Sequence, residues 1–197
     1  MDTSFGFRWE NITPAYDKVL KTGIKDLKYA IPQTDFQNSY NKVCDNMCIL
    51  ADRIADYLHG KKQQDEKILW FTSIKERPAE HFEEAIQRML FLNQIFWQTD
   101  HRLVGLGAWD DILFPYYEND IKEGIITCEE ALKCLEDLLQ ILHEKYQYKS
   151  SVLMGDTGQI FVLGRSNSKH EYICNELTYL LRLLEMFTNL ILIVCFG

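Results

Sequence analysis

With 197 residues, 47% of them apolar and 25% charged, the chain can form one domain or two small ones and has the balance of an ordinary globular protein. Its net charge of −8 argues against nucleic acid as a partner, because that ligand requires a basic face; Lys61-Lys62 and Lys25/Lys28 read as solvated helix surface. The start, MDTSFGFRWEN, carries neither the basic nor the apolar region of a signal peptide, so a reducing cytoplasm is the expected compartment.

Residues 1–13 read as irregular. Thr13 as an N-cap and Pro14 in the first turn predict a helix over Pro14–Lys21, stopped by Gly23, and a second short helix covers Ile24–Ala30. Asp35–His59 is a longer helix, in which Tyr40, Val43, Met47, Leu50, Ile54 and Leu58 keep a spacing of three to four, and Gly60 ends it. A polar turn leads to a short helix over Glu66–Thr72, and Pro78 opens a strong helix to about Thr99. The stretch His101–Tyr117, HRLVGLGAWDDILFPYY, fits neither a helix nor a strand period. It reads as irregular backbone between two helices, with Gly105 and Gly107 where the chain bends or passes close to something else. Thr127 and Glu130 form a capping box for a helix over Thr127–Tyr146, with Leu132, Leu135, Leu138, Leu139 and Leu142 as its apolar stripe. Val152-Leu153, a turn at Gly155–Gly158 and Ile160–Leu163 read as strand, turn, strand; Arg165–His170 is a polar loop; Asn175 caps a last helix, Glu176 to about Phe187. The apolar run Leu190–Phe196 is far short of the roughly 20 residues of a membrane span and reads as a buried strand. The whole is one helix-dominated α/β unit with a few short strands late in the chain.

Four places could carry chemistry. The Gly155-Asp156-Thr157-Gly158 turn either cradles an anion with its backbone N–H groups or closes a hairpin; without a GK[ST] it is not a Walker loop. Asp110 and Asp111, with Glu118 and Asp120, either bind a hard cation or supply loop and helix N-terminal charge. Arg102, beside His101, either holds a substrate carboxylate through its guanidinium fork or is a buried cation paired with Asp110 or Asp111. Of the six cysteines, Cys44 and Cys48 share a helix face, but no second ligand pair accompanies them, so they read as buried thiols. His81, His143 and His170 read as surface residues. No GxSxG and no Cys–His spacing suggests a nucleophile, and no metal site is expected.

Taken in order, these segments resemble the glycyl radical enzymes, the pyruvate formate-lyase family. That family carries a segment similar to GHSxSxGRxDQYxYPYY, matched here by Gly107, Asp110, Phe114, Pro115, Tyr116 and Tyr117. Arg88–Trp97 resembles the helix leading into it. Glu118, Asp120, Gly124, Thr127 and Glu130-Ala131-Leu132 fit the family's continuation, YYExDxxxGxxTxEEAL. Gly155–Gln159 and Leu163-Gly164 echo the family's strand region, Asn175–Leu180 is similar to its NELTYL helix start, and Thr13–Leu20 to its TPDYEKVL. The resemblance covers about residues 11 to 182. It implies the opening portion of a ten-stranded β/α barrel. On the residues themselves, His101, Arg102, Asp110 and Asp156 are the substrate-pocket candidates. The resemblance implies no bound cofactor in this chain. A parent enzyme would carry a glycyl radical installed by a radical-SAM activating enzyme and would use a cysteine thiyl to cleave C–C, C–N or C–O bonds of a small molecule, as in formate C-acetyltransferase. It would act as a homodimer in anaerobic metabolism, without nucleic acid or membrane.

The chain also departs from the pattern. No cysteine loop and no RVxGY-like glycyl loop is present; Cys174-Asn175-Glu176 imitates the family's C-x-E but falls at the start of the NELTYL helix. Ala108 stands for the family's arginine, Asp111 for its glutamine, Leu103 for the GHS serine, and Asn11 where many members have histidine. Beyond about Arg182 the resemblance ends, and residues 183–197 form a divergent apolar tail of the kind a frameshift or a premature stop produces. The sequence therefore reads as a fragment of such an enzyme, inactive alone, with no catalytic residue of its own. A non-catalytic module docking on a full-length homologue or an activating enzyme is the second reading, and a small enzyme built on Arg102, Asp110 and Asp156 the third.

Overall fold

A computed structural model describes residues 13–62, 65–98, 104–145, 159–166, 171–188 and 193–195. In chain order they form α1 (Tyr16–Lys21), a 3-10 turn (Ile24–Leu27), α2 (Asp35–Gly60), α3 (Asp65–Ser73), α4 (Phe82–Gln98), β1 (Val104–Ala108), α5 (Trp109–Glu123) and α6 (Cys128–Lys145). There follow β2 (Gln159–Val162), β3 (Arg165–Ser166), β4 (Tyr172–Ile173), α7 (Glu176–Thr188) and β5 (Ile193–Cys195). The chain divides into two units: a helical unit of Ala15–Leu92 with Pro115–Thr127, and a sheet unit of Met1–Pro14, Asn93–Phe114 and Cys128–Gly197.

In the helical unit, α2 starts where Thr34 accepts the Gln37 N–H at 3.2 Å, an N-cap that satisfies one otherwise orphaned donor. Its buried face is Cys44, Met47, Cys48, Ala51 and Ala55. The expected stripe is thus rotated: Val43 is 52% exposed, while two alanines and two thiols face inward. Small side chains let neighbouring elements approach closely, which a search for large apolar residues does not register. Trp70, Phe71 and Ile74 from α3 and its exit turn add to this core, with Phe71 edge-on to Phe91 of α4 at 6.0 Å, an ordinary spacing for an aromatic pair. The exit turn zips to the 3-10 segment through Ile24 N–H to Ile74 C=O and Lys25 N–H to Lys75 C=O, both 3.0 Å. Gly23 is required there by space: a Cβ would lie 2.6 Å from the Lys75 carbonyl oxygen.

Helix α4 begins at Phe82, four residues after the proline that the sequence suggests as its opening. The intervening backbone is engaged elsewhere: Ala79 N–H bonds Leu20 C=O at 2.8 Å, and Glu80 N–H bonds the Glu84 carboxylate at 3.0 Å.

In the sheet unit the strand order is β1-β2-β5, all parallel, with Ala108 opposite Val162 and Val162 opposite Cys195. The register shifts between Gly105 and Gly107, and Gly107 has φ +77°, so the bend expected of these glycines is a β-bulge. From Val104 on, the stretch read as irregular is corrected: it is strand β1 followed directly by helix α5, which carries Pro115 inside it. A helix interior normally rejects proline. Here Trp109, Leu113, Tyr117 and Asp120, spaced four, four and three, are all buried, and that burial sustains the helix through the lost N–H.

The strand read at Ile160–Leu163 is present as β2, and it pairs in parallel with β1 and β5; Val152–Gly158 lies outside the described residues. The strand expected in Leu190–Phe196 is β5. Arg165–His170 is corrected in part, since Arg165 and Ser166 pair antiparallel with Ile173 and Tyr172. Helix α6 buries Ala131, Leu135, Leu138, Leu139 and Leu142. The core of this unit gathers around Leu106, Trp109, Phe161 and Leu163, with the Trp109 and Phe161 rings stacked at 5.5 Å.

Candidate functional site

Of the four pocket candidates, His101, Arg102 and Asp156 lie outside the described residues, and Asp110 lies within them. Asp110 is the second residue of α5, two beyond the end of β1, and is 3% exposed. Its Oδ1 accepts the Asp111 N–H at 2.9 Å. Its Oδ2 accepts the Gly164 N–H and the Thr178 hydroxyl, each at 2.7 Å. The Asp110 carbonyl accepts Asn175 Nδ2 at 2.7 Å, and Asn175 Oδ1 caps α7 by accepting the Thr178 N–H at 3.1 Å.

One carboxylate therefore ties together the segments that leave β1 and β2 and the segment that enters α7. Gly164, at φ +66°, makes the turn that aims its N–H at the carboxylate. This is the C-terminal edge of a parallel sheet, the edge at which α/β proteins build ligand sites. The knot is assembled from residues 54 to 68 positions apart, which no local spacing reveals. The one local signal is Asn175 as a helix cap, with Thr178 three residues on.

Three of the four acidic residues of the cation reading are engaged within the protein. Asp110 is engaged as described. Glu118 is exposed and pairs with Lys122 at 3.0 Å. Asp120 is buried and accepts the Phe82 N–H at 2.7 Å and bonds His81 Nδ1 at 3.0 Å. Among the described residues no group of three or more His, Cys, Asp or Glu could hold a metal ion. His81, read as a surface residue, is 38% exposed in its side chain but anchored to a buried carboxylate, whose hydrogen bond raises the imidazole pKa above its ordinary value.

A buried ion cluster in the helical unit also escapes sequence reasoning, although Glu84 and Arg88 stand at i,i+4. Glu84 accepts Arg88 Nη2 at 2.6 Å, Arg77 Nη1 at 3.2 Å and the Ser73 hydroxyl at 3.3 Å, while Arg88 Nη1 donates to the Arg77 carbonyl at 2.7 Å. Burial alone would raise the Glu84 carboxyl; the Glu80 N–H and the Arg88 and Arg77 guanidiniums outweigh it and hold the group below the usual carboxylate range.

Cys44 and Cys48 are buried free thiols, and burial pushes both up, away from reactivity. Cys174 is exposed between β4 and α7. No described helix is long and apolar enough to cross a membrane.

Known proteins agree with this architecture. A family profile described as pyruvate formate lyase-like matches residues 8–193. An isethionate sulfite-lyase of Oleidesulfovibrio alaskensis is 29% identical over 150 residues, covering 61% of this chain and 18% of that protein. The 4-hydroxyphenylacetate decarboxylase glycyl radical subunit of Clostridioides difficile is 30% identical over 87 residues, covering 43% of this chain and 10% of that one. A solved structure concerned with 1,2-propanediol dehydration in Roseburia inulinivorans shares the fold, with a TM-score of 0.74 at 21% identity over 94% of this chain and 26% of that one. The chain thus spans about a fifth of the length of its curated relatives, and it belongs to the pyruvate formate lyase-like family.

Proposed function

We propose that this chain is the opening part of a glycyl radical enzyme that cleaves a C–C, C–N or C–O bond of a small molecule, and that alone it does not turn over substrate. The observation that carries the proposal is the family match over residues 8–193 on a chain about a fifth as long as its relatives. The parent would receive its glycyl radical from a radical-SAM activating enzyme and would act as a homodimer. The radical initiates chemistry that polar side chains alone cannot supply.

Among the described residues, the candidates do not fit that group. Gly107 and Gly164 serve a bulge and a turn, and Cys174, the cysteine of the C-x-E imitation, is exposed beside a capped helix. No radical step is assigned to them. What this chain contributes is placement. Asp110 fixes the ends of β1 and β2, and substrate contact falls to His101, Arg102 and Asp156.

The test is to translate all three frames of the gene beyond the Gly197 codon, express the completed protein with a radical-SAM activating enzyme, and record its electron paramagnetic resonance spectrum without oxygen. A frame bearing a C-x-E loop and an RVxGY-like end, with a glycyl doublet on activation, is the expected result. A continuing frame with neither motif would overturn the proposal.

A further inference from the structure

The helical unit contains an ionic contact that the barrel architecture does not explain. Asp120, near the end of α5, has a side chain only 1% exposed, and it is bonded by two neighbours in sequence, His81 Nδ1 at 3.0 Å and Phe82 N–H at 2.7 Å. The Phe82 N–H is one of the first-turn donors of α4 that no helical carbonyl can satisfy, so a carboxylate from 38 residues away serves as a remote cap. The end of α5 is itself fixed: the Asp120 carbonyl accepts the Ile125 N–H at 2.9 Å, and Gly124, at φ +69°, turns the chain out of the helix. Tyr117, one turn before Asp120, packs edge-on to Phe82 at 5.6 Å. The His81 side chain is reached by solvent, whereas that of Asp120 is buried.

We propose that the His81–Asp120 contact is a pH-sensitive latch, holding the start of α4 to the end of α5 when His81 is protonated and loosening as it loses its proton. Asp120, then Glu84 and Glu80, favour the charged form of His81. Arg77 pairs with Glu80 at 3.3 Å and with Glu84 at 3.2 Å, and Arg88 pairs with Glu84 at 2.6 Å, so Asp120 is the carboxylate that bonds His81 directly. Loss of the imidazole proton leaves a buried carboxylate with one backbone N–H and a neutral ring in place of a charge-assisted pair. The folded-state pKa is raised above 6.5, so the latch contributes fully below that value and its contribution is lost as pH rises through the folded-state pKa.

The test uses the whole chain in two measurements. Nuclear magnetic resonance titration gives the pKa of His81, and denaturant unfolding compares the chain with His81→Gln between pH 5.5 and 9. Titration above 6.5 is expected, with a ratio of the two unfolding constants that changes by about tenfold for each pH unit of that elevation. The amide of Phe82, corrected for its intrinsic exchange rate, should lose protection over the same range. Titration at or below 6.5, or a ratio that stays constant with pH, would overturn the latch. Asp120→Asn is the second variant: it should return the His81 titration to its ordinary value if it folds. His81→Gln keeps the experiment decisive if it does not.

Discussion

Replacing Asp110 tests whether the carboxylate at the strand ends is a structural knot. In Asp110→Ala, the buried Gly164 N–H loses its acceptor. An orphaned buried donor costs about 1–3 kcal/mol. The Thr178 hydroxyl can turn to Asn175 Oδ1, already 3.2 Å away, so its loss is smaller, about 0.5–1 kcal/mol. The Asp111 N–H is half-buried in the first turn, where loss of a negative charge adds about 0.3–1 kcal/mol. These contributions place Asp110→Ala at about 2–5 kcal/mol of destabilisation. Asp110→Asn, whose amide oxygen can still accept from Gly164 and Thr178, should lose about half as much. Urea unfolding followed by tryptophan fluorescence is the assay, because Trp109 is stacked on Phe161 beside the knot. The double variant Asp110→Ala with Asn175→Ala should lose less than the sum of its parts, since both residues hold the same turn. An Asp110→Ala chain within about 0.5 kcal/mol of the parent, or strict additivity with Asn175→Ala, would refute the reasoning.

The same geometry sets the outcome of other perturbations. Glu84→Gln leaves Arg88 buried without its counter-charge and should cost about 3–5 kcal/mol in denaturant unfolding. Because the folded-state pKa of Glu84 is held down, its contribution is present above the ordinary carboxylate value and is lost as pH falls through the folded-state value; the parent should therefore lose more stability than Glu84→Gln on going from neutral pH into acid. Gly23→Ala forces a Cβ onto the Lys75 carbonyl and should destabilise by about 1–3 kcal/mol, read as a lower melting temperature. Gly164→Ala places a side chain at φ +66°, at a cost of about 1–2 kcal/mol, and should also expose the Gly164 amide to faster hydrogen exchange.

What can be read in the sequence is local. Thr34 and Asn175 cap helices within three residues of themselves, and α2 and α6 appear within a residue or two of the periodic stretches that predict them. The bulge at Gly105 and Gly107 is signalled by two glycines alone. Failures come where distant partners override local preference. Pro115 argues against a helix until the burial of Trp109, Leu113 and Tyr117 is known. Pro78 looks like a helix start until Leu20 is seen to claim the N–H of Ala79. The inward face of α2 is misplaced from sequence because Ala51 and Ala55, not Val43, turn toward the core. At the site, Asp110 is found through its resemblance and its neighbours Gly107 and Pro115, but its partners Gly164 and Thr178 come from other parts of the chain.

The division of the chain has a practical consequence for anyone who cuts it. The helical unit is not a continuous stretch: residues 93–114, including β1, are inserted before its last piece, Pro115–Thr127. A polypeptide ended at Leu92 would keep α1, α2, α3 and most of α4 yet lack Tyr117 and Asp120, so Phe82 would lose both its aromatic neighbour and its cap. During synthesis the same order makes the helical unit wait for β1 to emerge before it can close, so its completion is tied to the first strand of the sheet.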